Sequence, residues 1–201
     1  MSFIPEDRLG LGLAPNLSIT NNLLLKTYRQ NKGPFVDRKS ARIEAKQLIE
    51  RYNVVTPSTE TPVKNLSGGN IQKILVGREI GSDPNVIITA YPVRGLDINS
   101  SYMIYDILNE EKAKNTAILF IGEDLDVLLT FCDKIMVLSE GKCMGIVHTK
   151  NTTKEEIGLM MTGAKNLVEM YPEKQIGFAS DSSLTKDEWN NLEKEANKNG
   201  K

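Results

Sequence analysis

A Ser-Gly-Gly turn immediately precedes a segment of helical periodicity. The turn is Ser67-Gly68-Gly69, and the apolar residues that follow at helical spacing are Ile71, Ile74 and Leu75. Serine is favoured at the residue that caps a helix, and paired glycines let the backbone approach a ligand closely. The first amides of a helix lack intrahelical acceptors and lie at the positive end of its dipole, so the sequence predicts an anion site here. An ordinary capped helix after a loop is the alternative interpretation.

Two short apolar runs follow this turn, and each leads into a loop. The first run is 86–90, which leads into Tyr91–Asp97, and the second is 117–121, which leads into Gly122–Leu125. Continuous apolar runs of this length are typical of strands that are buried on both faces of a parallel sheet. We therefore predict a strand over 85–90 that is buried on both faces and a second strand over 116–122, each followed by one of these loops.

Helical and extended segments alternate through this part of the chain. Amphipathic helices are predicted over 100–114 and 124–132, and a further strand over 134–139. This βαβ alternation predicts an α/β fold with a mostly parallel sheet and helices on its faces. A tight turn then predicts an antiparallel hairpin partner over 143–149. Its lone histidine, His148, is interpreted as structural or exposed, because no Ser, Cys or carboxylate pattern accompanies it.

The N-terminal part is predicted to be a small helical subdomain. Apolar residues recur every three or four positions over 39–52, which predicts an amphipathic helix. Basic side chains cluster over 26–46, and we interpret them as a solvated helix face. We divide the chain into a helical subdomain with the turn and its helix (1–82), the remainder of the α/β core (83–163) and a polar C-terminal tail (164–201) that is loosely docked or mobile.

Composition excludes several classes of function. The chain has 25 Lys plus Arg against 26 Asp plus Glu, so no overall field favours nucleic acid or a membrane surface. Cys132 and Cys143 form no CxxC pair and have no clustered histidines, which argues against a zinc site or a disulfide framework. No apolar stretch approaches the roughly 18 residues of a membrane span, and no signal-peptide pattern opens the sequence. We expect contact with a membrane only through a partner.

A phosphate-binding loop of the usual form is missing from the sequence. No GxxxxGK[ST] pattern occurs, whose backbone amides and lysine hold the β and γ phosphates in P-loop ATPases and whose Ser or Thr holds magnesium. We therefore expect this chain to have no phosphate cradle of its own.

The order of these segments over 3–163 resembles that of the ATP-binding cassette (ABC) ATPases. Leu66–Asn70 is similar to the family's signature loop, Leu-Ser-Gly-Gly-Gln, and 86–90 resembles its Walker B strand. Arg94–Asp97 resembles the D-loop and 117–123 the switch strand. The resemblance implies a partial P-loop NTPase (ABC ATPase) fold with the Walker A portion missing. We expect a fragment, the C-terminal part of a nucleotide-binding domain.

Three positions depart from the family pattern where the family carries its catalytic groups. The Walker B strand of the family ends in Asp-Glu-Pro, whereas this chain has Ala90-Tyr91-Pro92, and the switch position, usually His, is Glu123. Neither Ala90 nor Tyr91 can bind a cation or accept a proton near neutral pH. Loss of a general base alone lowers a rate by roughly 10²- to 10⁴-fold. We expect this domain's own site to be degenerate and the isolated chain to hydrolyse no ATP.

The resemblance implies a role for the intact signature. In the family, two domains enclose two ATP molecules, and each composite site takes its P-loop from one domain and its signature from the other. It implies that Ser67, Gly68 and Gly69 donate hydrogen bonds to a γ-phosphate held by the partner domain. The implied nucleotide-binding residues are Ser67, Gly68, Gly69, Asn70 and Gln72. ATP and Mg²⁺ are the cofactors of the full-length assembly, and no metal ligand is assigned to this chain.

The D-loop match places Asp97 at the interface between the two sites, where it would communicate between them. Asp97 as the cap of the helix at Ser100 is the alternative, and the two roles are compatible. Asn70 stands where the family has Gln and is expected to matter less, because the main-chain donors precede it.

A good signature combined with a degenerate Walker B strand resembles the second domain of fused double-domain ATPases of sugar or nucleoside importers. Pro5–Arg8 resembles the segment just past the family's Q-loop, and a charged surface turn is the alternative. The implied partners are the N-terminal nucleotide-binding domain, transmembrane permease subunits and, indirectly, a solute-binding protein, with no nucleic acid. The implied location is cytoplasmic, peripheral on the cytoplasmic face of the membrane.

Other functions remain open at this point. The chain could belong to a cytosolic ABC ATPase without a permease that acts on ribosomes or DNA, or it could be an inactive folding fragment. The segments Tyr91–Asp97 and Gly122–Asp126 favour the nucleoside branch of the importers over the sugar branch.

Overall fold

The computed structural model describes residues 1–28 and 36–164. These residues form strands and helices that alternate along the chain, with a π-helical turn at Arg8–Gly12. The strands are β1 (Ser2–Ile4), β2 (Val86–Ala90), β3 (Ala117–Ile121), β4 (Lys134–Ser139) and β5 (Lys142–His148). The α-helices are α1 (Ile19–Thr27), α2 (Arg38–Arg51), α3 (Gly68–Ile80), α4 (Ile98–Ala113), α5 (Leu125–Phe131) and α6 (Lys154–Met161).

The chain divides into two compact units, Met1–Gly122 and a second that begins at Glu123. The predicted division at residue 82, between a helical subdomain and the remainder of the α/β core, stays a prediction. The predicted tail lies outside the described residues from residue 165 onward, and so do Arg29 and Lys32 of the basic cluster.

A three-stranded parallel sheet, in the order β1-β2-β3, forms the centre of the first unit. Ile4 pairs with Thr89, and Thr89 pairs in turn with Phe120. The α/β class with a parallel sheet is confirmed. Strand β1 was not predicted, because three residues are too few for a periodicity to be read.

The face of this sheet that contains Ile4 and Ile87 is covered, and the other face is exposed. Ile4 and Ile87 are fully buried, whereas Phe3 is 48% and Leu119 is 51% exposed. The prediction that the strand at 85–90 is buried on both faces is therefore wrong for the described residues. The reason is that helices pack only on the face of Ile87, where Ile74, Leu75 and Ile104 are fully buried with it.

Helix α3 is buried along most of its length. A Cβ on Gly77 would lie 2.7 Å from the Tyr52 ring and 2.8 Å from Leu48, so only glycine permits this approach of α2. Glu79, 1% exposed, accepts from Lys26 at 2.6 Å and from Arg78 at 2.8 Å. A buried carboxylate needs such partners to stay charged. These contacts fix α3, and with it the turn at its N-terminus, against α1 and α2.

The second unit contains a separate two-stranded sheet. β4 and β5 pair antiparallel, and a bulge lies between Val137 and Leu138. The turn residues Glu140 and Gly141 both have positive φ, 50° and 76°, as a tight hairpin turn requires. The hairpin prediction is confirmed. The strand at 134–139 was also expected to extend the parallel sheet, and for the described residues this is wrong, because β4 pairs with β5 in a separate sheet.

Candidate functional site

The Ser-Gly-Gly turn lies at the surface, at the N-terminus of α3. Ser67 has extended backbone angles (φ −66°, ψ 156°) and caps the helix by accepting from the Asn70 amide. Its side chain is exposed, and Gly68 and Gly69 are half-buried. The amides of Gly68 and Gly69, the first two residues of α3, have no acceptor within the helix, so they are available to an external anion.

Asn70 braces this turn. Its Nδ2 donates to the Ser67 Oγ at 2.9 Å, and its Oδ1 accepts from the Val55 amide at 3.0 Å. The side chain therefore ties the turn to the preceding loop. The Ser67 Oγ accepts from both the amide and the Nδ2 of Asn70, so its own proton can be donated outward.

The two glycines are places of close approach. A Cβ on Gly69 would lie 2.9 Å from the Ser100 Oγ and 3.8 Å from the Asp97 Oδ2, and a Cβ on Gly68 would lie 3.3 Å from the Arg8 Nη1. A larger residue at 69 would press on the first turn of α4. The turn thus contacts two other segments of the first unit through its backbone.

Asp97 caps α4 beside this turn. Its Oδ1 accepts from the Ser100 amide at 2.9 Å and its Oδ2 accepts from the Ser100 hydroxyl at 2.7 Å. The hydroxyl and amide of Ser100 lower the pKa of the Asp97 carboxyl, which is exposed and charged. The capping role of Asp97 is observed, and the predicted role in communication stays a prediction.

Gln72 lies beneath the turn. It is 1% exposed, and its Oε1 accepts from the Arg8 Nε at 2.9 Å. Among the described residues, its Nε2 has no hydrogen-bond partner. The predicted role of Gln72 in nucleotide binding stays a prediction, and in the structure its buried side chain contacts Arg8.

Arg8 joins the helix that carries the turn to the loop after β2, two contacts that the sequence analysis did not predict. Besides the bond to Gln72, its guanidinium donates to the Arg94 carbonyl. Glu6 in turn forms an ion pair with the Arg94 guanidinium. The opposite charges of Glu6 and Arg94 were a usable signal, but these two residues are 88 positions apart along the chain. Arg8 and Arg94 are 86 positions apart.

The C-terminal end of β2 carries no acidic side chain. Ala90 ends the strand, and Tyr91 follows with φ 48°, in the left-handed region. The Arg94 guanidinium carbon lies 6.0 Å from the centre of the Tyr91 ring, at the outer limit of a cation–π contact. A methyl group, a phenol and a guanidinium do not provide the oxygen ligands that Mg²⁺ prefers, so these residues do not fit a magnesium ion.

Glu123 belongs to the second unit, of which it is the first residue, and its side chain is exposed. Asp124 next to it caps α5 by accepting from the amides of Asp126 and Val127. His148 is exposed at the end of β5, as expected.

Among the predicted site residues, the structure brings Ser67–Asn70, Gln72 and Asp97 together in the first unit.

Two kinds of feature are absent from the described residues, a metal-binding cluster and a membrane-spanning helix. In residues 1–28 and 36–164, no group of three or more His, Cys, Asp or Glu residues could hold a metal ion. Within the same ranges, no helix has the length and apolarity needed to cross a membrane.

The chain is similar in sequence to import ATP-binding proteins. It is 33% identical to the glucose import ATP-binding protein of Haloferax volcanii over 81% of this chain and 30% of that protein. It is 34% identical to the nucleoside import ATP-binding protein of Lactococcus lactis subsp. cremoris over 80% and 32%, and 35% identical to the ribose import ATP-binding protein of Clostridium perfringens over 82% and 33%. The chain spans about a third of the length of the curated relatives it matches. No family model matches the chain.

The fold is similar to that of solved ABC cassettes. The dimeric structure of a bacterial ABC transporter cassette matches with a TM-score of 0.63 at 18% identity, over 76% of this chain and 64% of that one. An ATP-binding subunit of an ABC transporter matches with a TM-score of 0.63 at 19% identity, over 80% and 68%. At these identities, the likeness establishes the fold alone.

Proposed function

We propose that this chain, a homologue of sugar and nucleoside import ATP-binding proteins with the fold of an ABC ATPase cassette, supplies the signature turn of a composite ATP site. The observation that carries the proposal is the exposed, braced turn Ser67-Gly68-Gly69 at the N-terminus of α3. Its donors face outward, where nucleotide held by a second domain can reach them.

The chemistry of the turn suits a terminal phosphate. The first amides of α3 and the Ser67 hydroxyl are donors at the positive end of the helix dipole. Hydrogen bonds to a charged group contribute about 1.5–3 kcal/mol each. Loss of the γ-phosphate removes these contacts, so the two domains separate after hydrolysis.

The chain's own half of the second site is degenerate in this proposal. Ala90 and Tyr91 offer neither a metal ligand nor a general base, and Glu123 takes the place of the family's histidine. Magnesium and the hydrolytic groups then come from the partner nucleotide-binding domain, which also carries the phosphate-binding loop. Bound there, Mg²⁺ would neutralise charge on the transferred phosphoryl group.

The proposed biological role is ATP-driven import of a sugar or a nucleoside. The supporting observation is that several curated relatives of the chain are named for glucose, ribose, galactose or nucleoside import. The proposed assembly joins this chain, the domain with the phosphate-binding loop and permease subunits, at the cytoplasmic face of a membrane. We refer to it below as the complete assembly.

The test is ATP-dependent uptake by the complete assembly carrying Ser67→Arg. The arginine would fill the space in front of the donors, so we expect uptake to fall to background. Asn109→Arg, on an exposed position of α4, adds the same charge and bulk elsewhere and should leave uptake unchanged. Wild-type uptake by Ser67→Arg would exclude the signature turn from the mechanism. Persistent ATP turnover without a permease, stimulated by ribosomes or DNA, would instead support a non-transport ABC ATPase.

A further inference from the structure

Arg8 contacts both segments that meet at the signature turn. Its Nε donates to the buried Oε1 of Gln72 at 2.9 Å, its second terminal nitrogen donates to the Arg94 carbonyl, and its Nη1 faces Gly68. One planar guanidinium therefore joins the helix that carries the turn to the loop that follows β2. A fixed fork of donors can hold two acceptors at once, whereas a lysine presents a single point charge.

The segment that carries Arg8 is itself anchored. Strand β1 ends at Ile4, which is fully buried in the sheet, and Pro5 next to it is buried as well. Asp7 then caps the π-helical turn by accepting from the amides of Leu9 and Gly10. Arg8 thus extends from a fixed base, so its guanidinium can hold the position of the segments it contacts.

We propose that Arg8 is a positioning residue that couples the signature turn to the loop Tyr91–Asp97, so that displacement of one is transmitted to the other. The proposal rests on the proposed function of the turn. Through Gln72 and Gly68, Arg8 sets the position of the phosphate-facing amides. Through the Arg94 carbonyl, it sets the loop that ends in Asp97, whose partner Ser100 lies beside Gly69.

Backbone amide exchange in the full chain tests the coupling without any activity. Arg8→Ala should raise exchange by roughly tenfold, the effect of one lost hydrogen bond, at the hydrogen-bonded amides of both segments: Ile71 beside the turn, and Arg94 and Leu96 in the loop. Arg42→Ala removes a matched but exposed arginine that pairs with Glu60 and should change neither segment. An increase confined to one of the two segments would overturn the coupling.

A second variant distinguishes loss of the coupling from loss of the fold. Gln72→Met removes the acceptor of Arg8 and also the buried Nε2 that has no partner among the described residues, so the core is expected to tolerate it. It should still raise exchange at Arg94–Asp97, which position 72 reaches through Arg8. Unchanged exchange there in a folded Gln72→Met protein would contradict the proposal.

Kinetics of the complete assembly distinguish positioning from charge. Arg8→Ala and Arg8→Lys should both lower kcat for ATP by roughly tenfold and leave KM within about twofold, since the partner domain binds most of the nucleotide. Full rescue by Arg8→Lys would show that a point charge suffices and would overturn the bridging role. If Ser67→Arg abolishes turnover while Arg8→Ala does not, only this inference fails. If Ser67→Arg has no effect, the proposed function fails, and amide exchange still decides the coupling.

Discussion

The N-terminal end of α3 and the C-terminal end of β2 lie in the same unit but differ in what holds them. At the first, Ser67 caps α3, the Asn70 side chain donates to its hydroxyl, and Gln72 of the same helix accepts from Arg8. At the second, Tyr91 adopts a left-handed backbone conformation, and its neighbour Arg94 forms an ion pair whose side chains are 66% and 43% exposed.

The two ends differ in how firmly neighbouring side chains hold them. The turn lies at the surface, and the half-buried Arg8 and the buried amide of Gln72 hold it in position. The strand end presents no acidic group and is held by contacts of the kind that contribute little to stability. We therefore expect substitutions near the turn to be costly and substitutions at the strand end to be tolerated.

The largest expected effect is on ATP turnover of the complete assembly with Gly69→Val. A Cβ there would already lie 2.9 Å from the Ser100 Oγ, so the branched side chain must displace the turn or the first residues of α4. Displacement of positioned donors lowers kcat by roughly 10²-fold. Gly158→Val is the control, because a Cβ on Gly158 meets nothing within 4 Å. Turnover within twofold of wild type for Gly69→Val would remove the distinction between the two ends.

The next effect is on the free energy of unfolding and compares two arginines. Arg8→Ala leaves the buried Oε1 of Gln72 without its donor, which costs about 1–3 kcal/mol. Arg94→Ala removes an exposed ion pair with Glu6, which costs about 0–1 kcal/mol. Urea denaturation of both variants measures the difference. Equal losses would mean that the strand end is supported as firmly as the turn.

A smaller effect is expected from the backbone of Tyr91. At φ 48° a side chain is strained, so Tyr91→Gly should be more stable than Tyr91→Ala by about 1 kcal/mol. Both variants lose the same ring contact with Arg94, and their difference therefore isolates the backbone. If Tyr91→Ala proves the more stable of the two in urea denaturation, the loop does not hold this conformation in solution.

The smallest effect concerns pH. The Ser100 hydroxyl and amide lower the pKa of Asp97 in the folded chain, so its contribution to stability is present above the ordinary carboxyl pKa and is lost as pH falls through the lowered one. Asp97→Asn keeps a capping side chain but does not titrate. The difference in unfolding free energy between wild type and Asp97→Asn should therefore shrink as pH is lowered below about 4. A difference that stays constant down to pH 2 would contradict this linkage.

Local patterns predicted the parts of the fold and site that depend on neighbouring residues. The turn at Ser67, helix α3 and the hairpin of β4 and β5 each follow from capping residues, helical spacing or turn residues within a short window. The Asp97 cap of α4 was likewise one of two compatible predictions. In each case the determining contacts lie within a few positions along the chain.

Long-range contacts could not be predicted in the same way. The bond between Arg8 and Gln72 spans 64 residues, and no periodicity in the sequence indicates which glutamine an arginine will contact. The burial of Gln72 follows from the packing of α3 on the sheet, which also leaves Phe3 and Leu119 exposed on the other face. A hydrophobic run predicts a strand, but it does not predict which of its faces is covered.

The most direct test uses an ATP analogue with a thiol-reactive group on its terminal phosphate. In the complete assembly, with Cys132, Cys143 and any other cysteine replaced by alanine, Ser67→Cys and Tyr91→Cys are exposed to the analogue in turn. We predict covalent labelling of Ser67→Cys that unmodified ATP suppresses, and no labelling of Tyr91→Cys. Labelling of Tyr91→Cys without labelling of Ser67→Cys would contradict the claim that the turn at the N-terminus of α3 binds a phosphate held by another domain.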